Sequence, residues 1–228
     1  MKELDMLLFD LYPYVAIVVF LLGSLLRFEF SQYSWRSSSS QLLRGGASFR
    51  WGSNLFHVGI IFLLIGHAIG LLMPHELYPY LGLTAHSKQL MAMITGGSLG
   101  SIALVGLLML LYRRLFDARV RAQSQKRDLF ILVLLLIQLL LGLATLPVSA
   151  QHLDGAEMLQ LADWAQSIVT LRAHPSASLA GVDALFKVHI LVGMTIVLVF
   201  PFTRLVHIWS VPLAYLARPY QIVRRRPS

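Results

Sequence analysis

The chain contains no cysteine. That excludes disulfides, thiolate-held iron–sulfur clusters and a c-type haem attached through C-x-x-C-H. Any metal must be held by histidine, methionine or oxygen ligands. Charge is also scarce: Asp, Glu, Lys and Arg make up 13% of the 228 residues, against roughly 25% in soluble domains. Acidic residues are the scarcer, 11 against 19 basic, for a formal charge of +8. The basic residues lie in loops beside long apolar runs. They read as the positive-inside charge of a membrane protein, not as a nucleic-acid surface.

What is abundant is hydrophobic sequence, 57% of the chain. Five runs are long enough to cross a bilayer, at about 6–26, 53–73, 89–112, 129–146 and 186–209. The expected fold is all-α: an integral membrane bundle of five transmembrane helices, one domain over 1–228. The first run lacks a basic start and a small-residue cleavage site, so it reads as a retained helix. Pro74 stops the second run and Pro147 closes the fourth. Gly96, Gly97, Ser98, Gly100 and Ser101 mark the third as a surface that helices or a flat cofactor can approach closely. The long loop 148–185 holds an expected interfacial helix over about 156–171, with Trp164 as an interface anchor. Five spans put the two ends on opposite sides. Arg27, Arg36, Arg44, Arg50, the six basic residues of 113–128, Arg204 and four tail arginines fall on one side. Only Lys2, Lys88, Arg172 and Lys187 fall on the other. The N-terminus is therefore expected outside, in the periplasm, and the C-terminus in the cytoplasm.

Two spans carry ionisable groups that lipid makes costly. His57 and His67 lie on the second, His189 and His207 on the fifth. Two histidines on each of two helices suggest two metal centres, each clamped by one histidine from each helix. With no thiol in the chain, non-covalent bis-histidine haem is the natural candidate. Antiparallel topology dictates the pairing, His57 with His207 on the inner side and His67 with His189 on the outer. At about 1.5 Å per residue the axial offsets are roughly 15 Å and 27 Å, so tilted helices or slanted ligation are expected. At 100° per residue His189 and His207 share a face of one continuous helix. Gly66, Gly70 and Gly193 read either as room for a porphyrin or as ordinary helix packing. A zinc or iron enzyme would group its ligands near one face and add carboxylates, and none is present here. A structural anchor would hold the histidines by packing and carry no chromophore. His75, His86, His152 and His174 read as hydrogen-bonded loop residues.

Two stacked haems form an electron wire, which needs a membrane-soluble reductant at one end and a protein acceptor at the other. Lys88 lies in the short outer connection. Its ammonium reads either as a hydrogen-bond donor to a quinone carbonyl or as a side chain snorkelling to the interface. Arg113, Arg114 and Arg204 lie at the inner face, where haem propionates would be met.

Longer stretches carry a resemblance. FDLYPY (9–14), SNLFHVGI (53–60), GH (66–67), KQLMAM (88–93), RRLFDARVRA (113–122), PVSAQHLDGAEM (147–158), WAQSIVT (164–170) and FPFTRLVHIWSVP (200–212) together resemble the cytochrome b, or gamma, subunit of respiratory nitrate reductase. The resemblance implies a dihaem membrane cytochrome of the bacterial inner membrane, surrounded by lipid. It implies His57 and His207 on the inner haem b and His67 and His189 on the outer. Lys88 and Gly66 fall at the implied quinol site. The implied partners are quinol, an iron–sulfur beta subunit and a molybdenum alpha subunit, which alone reduces nitrate. The alternative is a dihaem quinone-reactive anchor of a different reductase complex.

Overall fold

The computed structural model describes residues 2–31, 35 and 46–210. Arg36, Arg44, the serine run 37–40, Gly45 and the tail arginines at 218 and 224–226 lie outside the described residues.

Among the described residues the structure is helical, and five helices are long and apolar enough to cross a membrane: Glu3–Ser31, Ala47–Leu72, Ala85–Phe116, Lys126–Ser149 and Ala184–Phe202. The first comprises α1 (Lys2–Asp5), a π-type stretch Met6–Leu11 and α2 (Tyr12–Ser31). The remaining helices are α3 (Ala47–Leu72), α4 (Ala85–Phe116), α5 (Ala118–Ala122), α6 (Lys126–Ser149), α7 (Ala156–Val169) and α8 (Ala184–Val199).

Local chemistry explains why the spans outrun the apolar runs. At the start of α4, Thr84 and Ser87 form a capping box that draws polar residues 85–88 into the helix. Before α6, the Gln125 N–H donates to the Asp128 carboxylate at 2.8 Å. Asp183 caps α8 through the Leu185 N–H at 2.8 Å. The last carbonyls of α3, Leu71 and Met73, accept from the Gln166 amide at 3.2 and 3.1 Å.

Proline sets three irregularities. Pro13 has no N–H for the Phe9 carbonyl, and the backbone there is π-type. That carbonyl accepts instead from the Trp164 indole N–H at 3.0 Å. Trp164 is thus 5% exposed in a core with Phe9, Ile168, Leu179 and Phe186, which corrects its expected place as an interface anchor. Pro147 does not close the fourth span but sits within the last turn of α6, which runs on to Ser149. Pro201 ends the fifth α-helix early: α8 stops at Val199, and 3-10 turns follow at Phe200–Phe202 and Arg204–Ser210. The expected continuous helix through 209 is therefore broken, and the shared-face rule for His189 and His207 does not apply.

Small residues bring α3 and α4 into close contact. A Cβ on Gly106 would lie 2.3 Å from the Phe56 backbone nitrogen, and one on Gly59 would lie 2.7 Å from Ala103. Gly97 and Gly100 face Leu146 and Leu143 of α6. The helices pack in the spatial order α3, α4, α6, α8, α2. In this order α3, which carries His57 and His67, and α8, which carries His189, are not neighbours.

Candidate metal centres of paired histidines

The four histidines meet in two pairs. The rings of His57 and His207 have centroids 6.3 Å apart with planes at 74°. Those of His67 and His189 are also 6.3 Å apart, with planes at 39°. A metal bound to one nitrogen of each ring at about 2.0–2.1 Å puts the nitrogens ~4 Å apart and the ring centres ~6.3–6.5 Å apart. Both pairs therefore have the spacing of two axial imidazoles. The expected offset of roughly 27 Å assumed one continuous helix, and the break after Val199 removes that premise.

Three of the four rings have Nδ1 tied to a main-chain carbonyl. His57 bonds the Ser53 carbonyl at 2.7 Å, His67 the Leu63 carbonyl at 2.8 Å, and His207 the Arg204 carbonyl. An Nδ1–H held in this way fixes the tautomer and leaves the Nε2 lone pair for a metal. His189 differs. Its Nε2 lies 3.4 Å from the Gln138 amide nitrogen, and its Nδ1 is buried without a partner, as is the Gln138 Oε1. A buried unpaired nitrogen costs about 1–3 kcal/mol unless something occupies it.

The surroundings favour a tetrapyrrole over a bare ion. No group of three or more His, Cys, Asp or Glu able to hold a metal occurs among the described residues. Zinc ordinarily takes three or four protein ligands, whereas a haem iron needs only the two axial ones. A Cβ on Gly66 or Gly70, on either side of His67, would meet nothing within 4 Å, so that face of α3 borders open space. A Cβ on Gly193 would instead lie 3.1 Å from the Gln138 amide nitrogen, and one on Gly142, absent from the sequence reading, would lie 3.0 Å from the His189 ring.

Lys88 stands in the first turn of α4, 7% exposed. Its ammonium donates to the Tyr78 hydroxyl and lies 4.1 Å from that ring's centroid, so it is folded inward and does not snorkel. Contact between Gly59 and Ala103 sets the antiparallel register of α3 and α4, and Gly66 falls level with Gly96. Lys88 lies about 12 Å further toward the N-terminus of α4. Lys88 and the Gly66–His67 pair thus bracket one stretch at that end of the bundle rather than touching.

At the end of the bundle where α4 stops and α6 starts, the arginines are engaged within the chain. Arg204 forks onto Asp128, with its Nε on Oδ1 and its NH2 on Oδ2 at 2.6 Å, and Arg114 lies 3.6 Å from the same carboxylate. Arg113 pairs with Asp117 at 3.5 Å. The Val120 N–H, with help from the Arg119 N–H and Arg113, holds the Asp117 carboxyl below the usual carboxylate range. Two of the expected loop histidines depart from that reading: His86 stands in the first turn of α4, bonded to the Leu153 carbonyl at 2.7 Å, and His75 Nε2 is buried without a hydrogen-bond partner, 3.8 Å from Asp163.

Sequence reasoning missed Tyr78, Asp128, Gln138 and Gly142. Gln138 had a signal, as the only polar side chain in the apolar run 129–144. Asp128 had one too, as the lone carboxylate at the start of that run.

Comparison with known proteins bears on the whole chain. The family model described as nitrate reductase gamma subunit matches residues 5–226. The respiratory nitrate reductase 1 gamma chain of Escherichia coli (strain K12) is 52% identical over 227 residues, 99% of this chain and all of that protein. The respiratory nitrate reductase 2 gamma chain of the same organism is 52% identical over 225 residues, 99% of each. The nitrate reductase gamma chain of Bacillus subtilis (strain 168) is 37% identical over 221 residues, 96% of this chain and 98% of that one.

Proposed function

The chain belongs to the nitrate reductase gamma subunit family, and from that premise we propose that it is the dihaem cytochrome b subunit that feeds quinol electrons into a respiratory nitrate reductase. Two b haems, when bound, would supply one-electron carriers at two levels of the membrane. His57 and His207 would hold the inner one and His67 and His189 the outer. The observation that carries this reading is the equal 6.3 Å separation of the two ring pairs, close enough for one metal ion to be held by both rings of a pair.

Quinol that gives up two electrons also gives up two protons. Lys88, buried beside Tyr78, is the donor that would orient a quinol oxygen at the outer end. Gly66 leaves room on α3 for the ring to reach the level of His67. Protons released at this end leave outward while electrons pass inward, so turnover builds a transmembrane potential. Inward here means toward the side bearing Arg27, Arg50, Arg113, Arg114, Arg119, Arg121, Lys126, Arg127 and Arg204, which the positive-inside rule makes the cytoplasm. An iron–sulfur beta subunit and a molybdenum alpha subunit would dock there, nitrate being reduced on the latter, with this chain in the bacterial inner membrane.

The test is a haem count by pyridine haemochrome on protein purified from membranes, followed by reduction with quinol. The parent is expected to hold two haems b, His67→Ala to lose the outer one, and Lys88→Ala to keep both while losing quinol-driven reduction. A parent without haem would sink the dihaem reading. Unchanged quinol oxidation in Lys88→Ala would sink the quinol site alone.

A further inference from the structure

We propose that Asp128 is a positioning residue for His207, acting through Arg204; the inference rests on the dihaem reading above. His207 is the one histidine of the four that does not stand on an α-helix. Pro201 ends α8, Thr203 turns to extended backbone (φ −115, ψ −176), and His207 follows on the 3-10 segment Arg204–Ser210. Hydrogen-bond geometry in 3-10 segments is poorer than in an α-helix. The direction of this ring therefore depends on what fixes the segment that carries it.

Those bonds converge on Arg204. Its carbonyl accepts the Nδ1–H of His207, which fixes the ring's tautomer and direction. Its guanidinium grips both oxygens of Asp128. Asp128 is 2% exposed and is itself immobilised by the Gln125 N–H at 2.8 Å and by Arg114 at 3.6 Å. A bidentate arginine–carboxylate fork sets angle as well as distance. Arg27 supports the same bend, donating to the carbonyls of Pro201 and Thr203 at 2.5 and 2.9 Å. The ends of α4 and α6 thus hold the main-chain atom on which His207 hangs. Removing Asp128 would leave the Arg114 and Arg204 cations beside each other without their shared carboxylate. The segment carrying the Arg204 carbonyl would then lose this fork.

The test compares Asp128→Ala, Asp128→Glu, Arg204→Ala, Arg204→Lys and the double variant Asp128→Ala/Arg204→Ala with the parent, using full-length protein in membranes. The readouts are haem count and the low-spin ferric EPR signals. Ring planes at 74° predict that the inner haem gives the more anisotropic signal. Asp128→Ala is expected to fall from two haems to about one, losing that signal and keeping the other. Asp128→Glu is expected to restore it, and the double variant to lose no more than the worse single one. Two haems with both signals unchanged in Asp128→Ala would overturn the proposal. If Asp128→Ala does not accumulate, Arg204→Lys decides, since it keeps the charge and loses the fork. A shift of the inner signal alone supports the proposal, and any other pattern overturns it. A parent without haem would remove this inference together with the function it rests on, which separates that failure from an unaltered Asp128→Ala in a dihaem parent.

Discussion

Trp164→Phe tests how the outer cap is joined to the first span. The Phe9 carbonyl lacks a donor from residue 13 because that residue is proline, and Trp164 Nε1 supplies one at 3.0 Å. Phe9 and Trp164 are 3% and 5% exposed, so no water can take the place of the indole. Phenylalanine keeps most of the apolar contact but leaves a buried carbonyl unpaired, which costs about 1–3 kcal/mol. The smaller ring adds on the order of 1 kcal/mol. In a chain of this size 1 kcal/mol corresponds to about 2–4 °C, so the melting temperature should fall by roughly 5–15 °C. The measurement is thermal unfolding followed by circular dichroism, in one detergent and at matched haem loading. The decisive arm is Pro13→Ala in the Trp164→Phe background, which returns an N–H four residues after Phe9. It should recover part of the loss, with a coupling of about 1–2 kcal/mol in the double-mutant cycle. A Trp164→Phe protein as stable as the parent, or a loss that Pro13→Ala leaves untouched, would refute the reasoning.

Gln138→Leu removes the one hydrogen-bond partner that the His189 ring has among the described residues. The outer haem should then lose occupancy or shift its EPR signal, with the inner signal unmoved; an unaltered outer signal would dismiss Gln138 as a ring partner. Gly106→Ala places a methyl 2.3 Å from the Phe56 backbone nitrogen, whereas Gly66→Ala meets nothing within 4 Å. The first should cost about 1–3 kcal/mol by overpacking and the second should leave the melting temperature in place, both read by the same thermal assay. The Asp117 carboxyl has its pKa lowered in the fold. Its cap on α5 therefore contributes fully above the unfolded carboxylate pKa of about 3.9 and is lost as pH falls through the lower folded value. Amide-exchange protection at Arg119 and Val120 should persist down to about that pH and vanish in Asp117→Ala.

The number and kind of elements were legible in the chain because they depend on local properties. A span announces itself by the length of an apolar run, and five such runs became five spanning helices. The histidine pairs were legible for a related reason: antiparallel helices leave one pairing once the order of the histidines along the chain is known. Span ends were less legible. Thr84 with Ser87, and Gln125 with Asp128, draw polar residues into helices that hydropathy alone would stop short.

Tertiary structure decided whatever depends on bonds between distant residues. Proline marks where a backbone donor is missing but does not say what replaces it. At Pro13 the replacement is an indole 155 residues from Phe9, at Pro147 the helix continues, and at Pro201 it ends. The expected 27 Å offset between His189 and His207 assumed one straight helix, and the turn after Val199 removed that premise. Arg204 lay at a face where basic residues are expected from topology, and only the fold shows the carboxylate 76 residues away on which it sits. Lys88 could equally have snorkelled until Tyr78 was folded over it. The sequence by itself determined five spans and two histidine levels, since hydrophobic length and helical order act along the chain. Which nitrogen each ring offers, and what holds the ring in place, were decided only when distant side chains met inside the bundle.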